Sequence, residues 1–121
     1  MKFPAAFLER MREATGEEFD QFSASLHETP PVSIRLNPFK PYNGFGTYEI
    51  VPWATGAHYL PQPISFTLDP LFHAGCYYVQ DASSQFLQVP FKQAKQLLNR
   101  RLIVLDLCAA PGGKSTHVLS M

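Results

Sequence analysis

Apolar residues open the chain at helical spacing, with Phe3, Phe7, Met11 and Ala14 falling on one stripe. Pro4 stands where a first helical turn tolerates proline, and Gly16 is a natural stop. A second helix is predicted from Glu17 to His27, with Glu17, Glu18 and Asp20 near its positive end and Phe19, Phe22 and Leu26 turned inward. Pro30 and Pro31 end it. The period then switches to two in PVSIRLNP, where Val32, Ile34 and Leu36 alternate with Ser33 and Arg35, as in a half-buried strand.

From Pro30 to Pro70, eight of forty-one residues are proline, which by composition suits a linker. Phe39, Tyr42, Phe45, Tyr48, Trp53, Tyr59 and Phe66 carry too much aromatic surface to leave in water, so the segment reads instead as short strands joined by proline turns. The expected strands are Tyr48 to Val51, Ile64 to Leu68 and Cys76 to Gln80. ASSQFLQVPF reads as a helix capped by Asp81 or Ser83, with Phe86 and Leu87 facing the core, and QAKQLLNRR as its extension or a connector. LIVLDL, from Leu102 to Leu107, has the continuous apolar pattern of a parallel strand covered on both faces. The expected fold is therefore α+β for residues 1–100, two helices plus a small mainly antiparallel sheet. Residues 101–121 follow as the first strand and helix start of a Rossmann-like domain.

Composition agrees with a folded chain: 45% of the 121 residues are hydrophobic, enough for a core and too many for a disordered tail. Cys76 and Cys108 form no C-x-x-C pair and suit thiols in a reducing compartment, so a cytoplasmic location is expected. Glu9 and Arg10 interrupt the first apolar run, which rules out a signal peptide, and no stretch approaches transmembrane length. Net charge is zero, but Lys92, Lys95, Arg100, Arg101 and Lys114 gather in the last quarter opposite Asp106 alone. That is a modest footprint for a polyanion, and a solvated helix face explains it equally well.

The chemistry concentrates in LDLCAAPGGKST, residues 105–116. Its tail suggests a phosphate-binding loop, G-x-x-x-x-G-K-[ST], but Cys108 stands in place of the first glycine and Pro111 removes an amide donor. Its head suggests a nucleoside-cofactor turn, in which small residues let the backbone approach the ligand at the start of a helix. Cys108, Ala110 and Gly112 then take the glycine places of G-x-G-x-G. An ordinary strand-to-helix turn without a ligand is the third reading.

The same run resembles the first cofactor motif of the Sun/Nop family of RNA cytosine-5 methyltransferases, D-x-C-A-A-P-G-G-K-[ST]. PPVSIRLNP is similar to the strand opening that family's N-terminal region, and GCYYVQDASSQFL to its Y-x-Q-[DE]-x-S-S segment. Three blocks in the family's order cover most of the chain from Pro31 onward. The resemblance implies an S-adenosylmethionine-dependent enzyme acting on RNA, in particular rRNA, with the donor held by Cys108, Ala109, Ala110, Pro111, Gly112, Gly113 and Lys114. It implies that Asp106 orients the turn or faces the donor's ammonium group, and that Lys114 faces its carboxylate or a nearby phosphate, unless it is simply a solvated lysine. Gln80 and Asp81 lie near the cleft in a complete enzyme or simply cap a helix, the reading we favour.

In that family a cysteine thiolate in a P-C motif attacks the cytosine, and a second cysteine resolves the adduct. Neither Cys76 nor Cys108 follows a proline, so no catalytic residue is assigned. Nor is an acidic residue for the donor's ribose present. The expectation is an N-terminal fragment, inactive in isolation, with donor binding a property of the full-length enzyme. Leu102 to Leu107, unpaired, is expected to promote dimerisation. The alternative functions are an RNA-binding accessory module without catalysis and a nucleotide-binding loop.

Other motifs carry less. NGFGTYEI matches the aromatic RNA-binding strand only at Gly44, Phe45 and Gly46. His73 and Cys76 lack further ligands, and His27, His58 and His117 show no metal spacing, so no metal is expected. Of Tyr77 and Tyr78, neighbours in a strand, one should face the core and one outward.

Overall fold

The computed structural model describes residues 3–121 and divides into two units, residues 3–30 and 31–121. In the first unit, helix α1 (Ala5–Thr15) is followed by a 3-10 turn over Gly16–Glu18 and helix α2 (Phe19–Ser25). Phe3, Phe7 and Met11 are half-buried as the stripe requires, whereas Ala14 is exposed. Gly16 adopts φ 54°, a left-handed conformation that favours glycine, and its N–H donates to the Arg12 carbonyl to close α1. Phe19 is buried beneath the Arg12 guanidinium, 4.3 Å from the ring centroid.

The second unit is built on a three-stranded antiparallel sheet of order β2-β1-β3. Strand β1 (Val32–Leu36) lies in the middle, between β2 (Ala57–Leu60) and β3 (Tyr77–Val79). Register pairs Ile34 with His58 and Val79, and Arg35 with Ala57 and Tyr78. Directly opposed residues share a face. One face therefore carries Val32, Ile34, Leu36, Leu60, Tyr77 and Val79, and closes with Phe45 into the main core. Ile34 is fully enclosed, and the Phe45 and Tyr77 rings meet edge to face at 5.1 Å. Tyr77 donates to Asp69 at 2.6 Å; burial and this bond raise its pKa, while the same bond holds the Asp69 carboxyl below the usual range.

Asp69 also caps helix α3 (Pro70–His73), accepting from the Leu71 N–H at 2.9 Å ahead of proline at the first helical position. This corrects the expected strand from Ile64 to Leu68: Phe66–Leu68 is a 3-10 turn leading into the cap. The strand expected over Tyr48 to Val51 shrinks to one bridge, Ile50 with His58, because Pro52 follows at once. Cys76 to Gln80 does contain β3.

Downstream, the helix expected over ASSQFLQVPF is two helices, α4 (Ala82–Gln85) and α5 (Gln88–Leu98). The QAKQLL segment continues α5 until Asn99, at φ 41°, ends it. Asp81 precedes α4 without a side-chain capping bond, and Phe86 is half-exposed, set edge to face on Trp53 rather than in the core. Residues 102–107 do not form the expected buried strand. Residues 102–106 carry no regular structure, a turn begins at Leu107, and Ile103, Leu105 and Leu107 are largely exposed. A parallel strand exists only through its neighbours, and among the described residues none pairs with this one. Helix α6 (Gly113–Leu119) follows and contacts α4 and α5.

Ile34 is the test of the core. Ile34→Ala should lower the unfolding free energy of the second unit by about 2–5 kcal/mol, measured by denaturant titration, whereas the exposed Leu97→Ala should stay within about 0.5 kcal/mol.

Candidate functional site

Between residue 106 and α6 the chain makes one tight turn whose anchor is Asp106. Its carboxylate accepts from the Cys108 N–H at 2.9 Å and from the Ser115 hydroxyl at 2.6 Å, joining the start of the turn to the first turn of α6. The Ser115 bond first, and the Cys108 bond second, hold the carboxyl below its usual pKa. Gly112 enters α6 at φ 102°, which a side chain would strain. Gly113 packs close to the sheet, and a Cβ there would meet the Tyr78 ring at 3.4 Å and the Gln80 amide nitrogen at 3.5 Å, ordinary contact distances.

A cavity of ≈ 530 Å³ opens beside this turn, lined on one side by Leu87, Val118 and Leu119 and on the other by Val104, Leu105 and Leu107. Asp106, Cys108, Lys114 and Ser115 supply its polar wall. An apolar cavity of this size with a few convergent polar groups is the usual form of a small-molecule site. Of the seven expected donor-loop residues, Cys108 and Lys114 reach the wall. Ala109, Ala110 and Pro111 are exposed on the turn, and Gly112 and Gly113 shape the helix entry.

Behind α6 lies a group of residues that the sequence reading left on a solvent face. Arg35 is only 5% exposed and Ser33 2%. The Arg35 guanidinium donates from Nε to Gln80 Oε1 (3.1 Å), from Nη1 to Ser120 Oγ (3.2 Å) and from Nη2 to Thr116 Oγ1 (3.0 Å). Ser33 donates to the Gln80 carbonyl at 2.6 Å, which also accepts from the Gln85 amide at 2.8 Å. Gln80 is thus a buried partner of Arg35 rather than a helix cap. The alternation of Ser33 and Arg35 was visible; the helix that covers them, eighty residues on, was not. Ser115, Thr116 and Ser120 went unread for a similar reason, since ST reads as a motif tail until its two hydroxyls are seen facing opposite ways.

His117, next to these, is 1% exposed, and neither ring nitrogen has a hydrogen-bond partner. Burial, then the charges of Arg35 and Lys92, push its pKa down to about 4. His73 Nε2 lies 2.8 Å from the Thr67 carbonyl, and no cluster of three or more ligating side chains occurs among the described residues.

Residues 3–82 match the family described as the N-terminal domain of 16S rRNA methyltransferase RsmF. The chain belongs to this family. It is 32% identical over 126 residues to ribosomal RNA small subunit methyltransferase B of Pasteurella multocida, covering 96% of this chain and 26% of that protein. To ribosomal RNA small subunit methyltransferase F of Escherichia coli O139:H28 it is 33% identical over 135 residues, covering 96% and 27%. A crystal structure of a methyltransferase homolog protein from Pyrococcus horikoshii superposes with a TM-score of 0.72 at 27% identity, covering 98% of this chain and 40% of that one. The chain thus spans about a quarter of the length of these curated relatives. The Sun/Nop resemblance drawn from Pro31 onward is upheld, together with the α+β fold around a small antiparallel sheet. Among the described residues no helix is long and apolar enough to cross a membrane.

The His117 environment sets a pH dependence. Unfolded, His117 binds a proton below about pH 6.5; folded, it does so only below about 4, so between these values the unfolded chain holds more protons. Its contribution to stability is complete above about pH 6.5 and is lost as the pH falls toward 4. Denaturant titrations at intervals across this window should show stability falling in the wild type and falling less in His117→Leu; parallel curves would contradict the assignment.

Proposed function

We propose that this chain contributes the N-terminal region and the first part of the donor site of an S-adenosylmethionine-dependent rRNA cytosine-5 methyltransferase acting in the cytoplasm. The observation that carries this reading is the Asp106-anchored turn, with Gly112 and Gly113 behind it and an apolar cavity in front. It stands in a chain whose relatives bear the names of rRNA small subunit methyltransferases. Asp106 and Lys114 supply opposite charges suited to the ammonium and carboxylate of a methionine moiety, and Cys108 through Gly113 let the backbone approach it. When bound, S-adenosylmethionine supplies an electrophilic methyl group; the residues of this chain orient it.

On this reading the domain boundary falls between residues 100 and 101, where the connector after α5 leads into the donor segment. Residues 1–121 alone transfer no methyl group, because neither cysteine stands in a P-C motif. Exposed Ile103, Leu105 and Leu107 favour self-association of the isolated chain. A phosphate-loop function is disfavoured: Gly112 is accounted for by the positive φ of the helix entry, and the turn is closed by a carboxylate, which repels phosphate.

With tight donor binding left to the full-length enzyme, titration of labelled residues 1–121 with S-adenosylmethionine into the roughly millimolar range should still move the NMR amide signals of Cys108, Gly112 and Gly113, and Asp106→Ala should weaken this roughly tenfold or more. Light scattering on the same samples should show mass rising with concentration. Shifts caused by ATP with magnesium and not by S-adenosylmethionine would overturn the donor assignment.

A further inference from the structure

Arg35 is a charge for which the donor site has no use. It meets α6 at Thr116 and Ser120, whereas the cavity at the turn meets that helix at Lys114, Ser115 and Val118, with Leu119 bordering both. The hydrogen-bond partners of Arg35 among the described residues, Gln80, Thr116 and Ser120, are all neutral. Buried cations are ordinarily met by a carboxylate, because desolvation without a counter-charge is costly. Here burial lowers the guanidinium pKa, and the three bonds fix the group while leaving two of its five N–H donors over.

Two cavities meet at this guanidinium, of ≈ 290 Å³ and ≈ 310 Å³. Neither is lined by an aspartate or glutamate side chain. The first is walled by Asn37, Phe39, Tyr78, Thr116 and Ser120. Phe39 is 76% exposed, an aromatic ring at the rim with no core to fill. The Tyr78 ring lies 5.9 Å from the Arg35 guanidinium, and Lys40, which donates to the Ala74 carbonyl, adds a second cation beside Gly75 at the same rim.

A rigid guanidinium with free donors suits a phosphate, and aromatic rings beside it suit an unstacked base; single-stranded nucleic acid offers both at one-nucleotide spacing. We propose that the cavity bounded by Arg35, Asn37, Phe39 and Tyr78 holds a backbone phosphate of single-stranded RNA, with an adjacent base against Phe39 or Tyr78. The RNA identity rests on the methyltransferase reading above; the anion site rests on Arg35 and its surroundings. With zero net charge over the chain, the attraction is local and amounts to one or two phosphates rather than a broad basic face.

The test is fluorescence anisotropy of a short labelled single-stranded RNA with residues 1–121 at a series of salt concentrations between roughly 50 and 200 mM. Arg35→Gln should reduce the slope of log affinity against log salt by roughly 0.7, the value for one phosphate on a single strand, and Arg35→Lys should keep most of it. Phe39→Ala, at an exposed position, should weaken binding roughly fivefold or more without moving the melting temperature. Should Arg35→Gln fail to fold, wild-type protein with RNA carrying a methylphosphonate at each position in turn gives the same readout, one position losing affinity well beyond the rest. An unchanged slope in folded Arg35→Gln, full affinity in Phe39→Ala, or competition by inorganic phosphate that leaves RNA bound would overturn the proposal. Loss of the S-adenosylmethionine shifts with RNA binding intact would sink only the donor reading.

Discussion

A guanidinium enclosed between a sheet and a helix has to find acceptors, and in this chain that requirement organises the candidate site. Arg35 projects from the central strand β1, so its position is set by pairing on both sides, to Ala57 and Tyr78. Its donors then select Gln80 at the end of β3 and Thr116 and Ser120 on successive turns of α6. Two hydroxyls four residues apart lie on one helix face, so bonding both fixes the rotation of α6 about its axis as well as its distance from the sheet. With that rotation fixed, Ser115 points the other way, to Asp106, and the turn from Cys108 to Gly113 is held from both sides of the helix.

The cost of this arrangement is a layer of polar groups under cover, including Gln85 and His117 with side-chain atoms that find no partner. The opposite face of the sheet offsets it. Ile34, Phe45, Leu60 and Tyr77 are buried together, each contributing on the order of 1.5–3 kcal/mol by leaving water. Strand β1 is therefore covered on both faces, by a hydrophobic core on one and a hydrogen-bonded network on the other, and its alternating sequence records two kinds of burial rather than inside and outside.

This explains what could be read in advance. The helices α1 and α2 and strand β1 were legible because their periodicity and prolines are local signals. Strand β3 was legible from Cys76 to Gln80, and the turn at Gly112 from its small residues. The 3-10 turn at Phe66 was not, because an apolar run before Asp69-Pro70 has the composition of a strand and the geometry of a helix entry. Residues 102–107 have the composition of a buried strand, but strand formation lies in the partners, not in the segment. Of the candidate site, Asp106 and the small-residue turn after it were visible as motif, whereas Arg35 looked like a solvated residue because the covering helix lies so far along the chain.

The central claim, that Arg35 holds α6 and through it the turn anchored by Asp106, is tested most directly by amide hydrogen exchange on Arg35→Lys at neutral pH. Lysine keeps the charge and loses the planar fork that reaches Gln80, Thr116 and Ser120 together. The account predicts faster exchange at the amides of Thr116 through Ser120 and at Cys108, with the β1, β2 and β3 ladder amides retaining wild-type protection. Unchanged exchange in α6, or equal acceleration in the sheet and the helix, would contradict it.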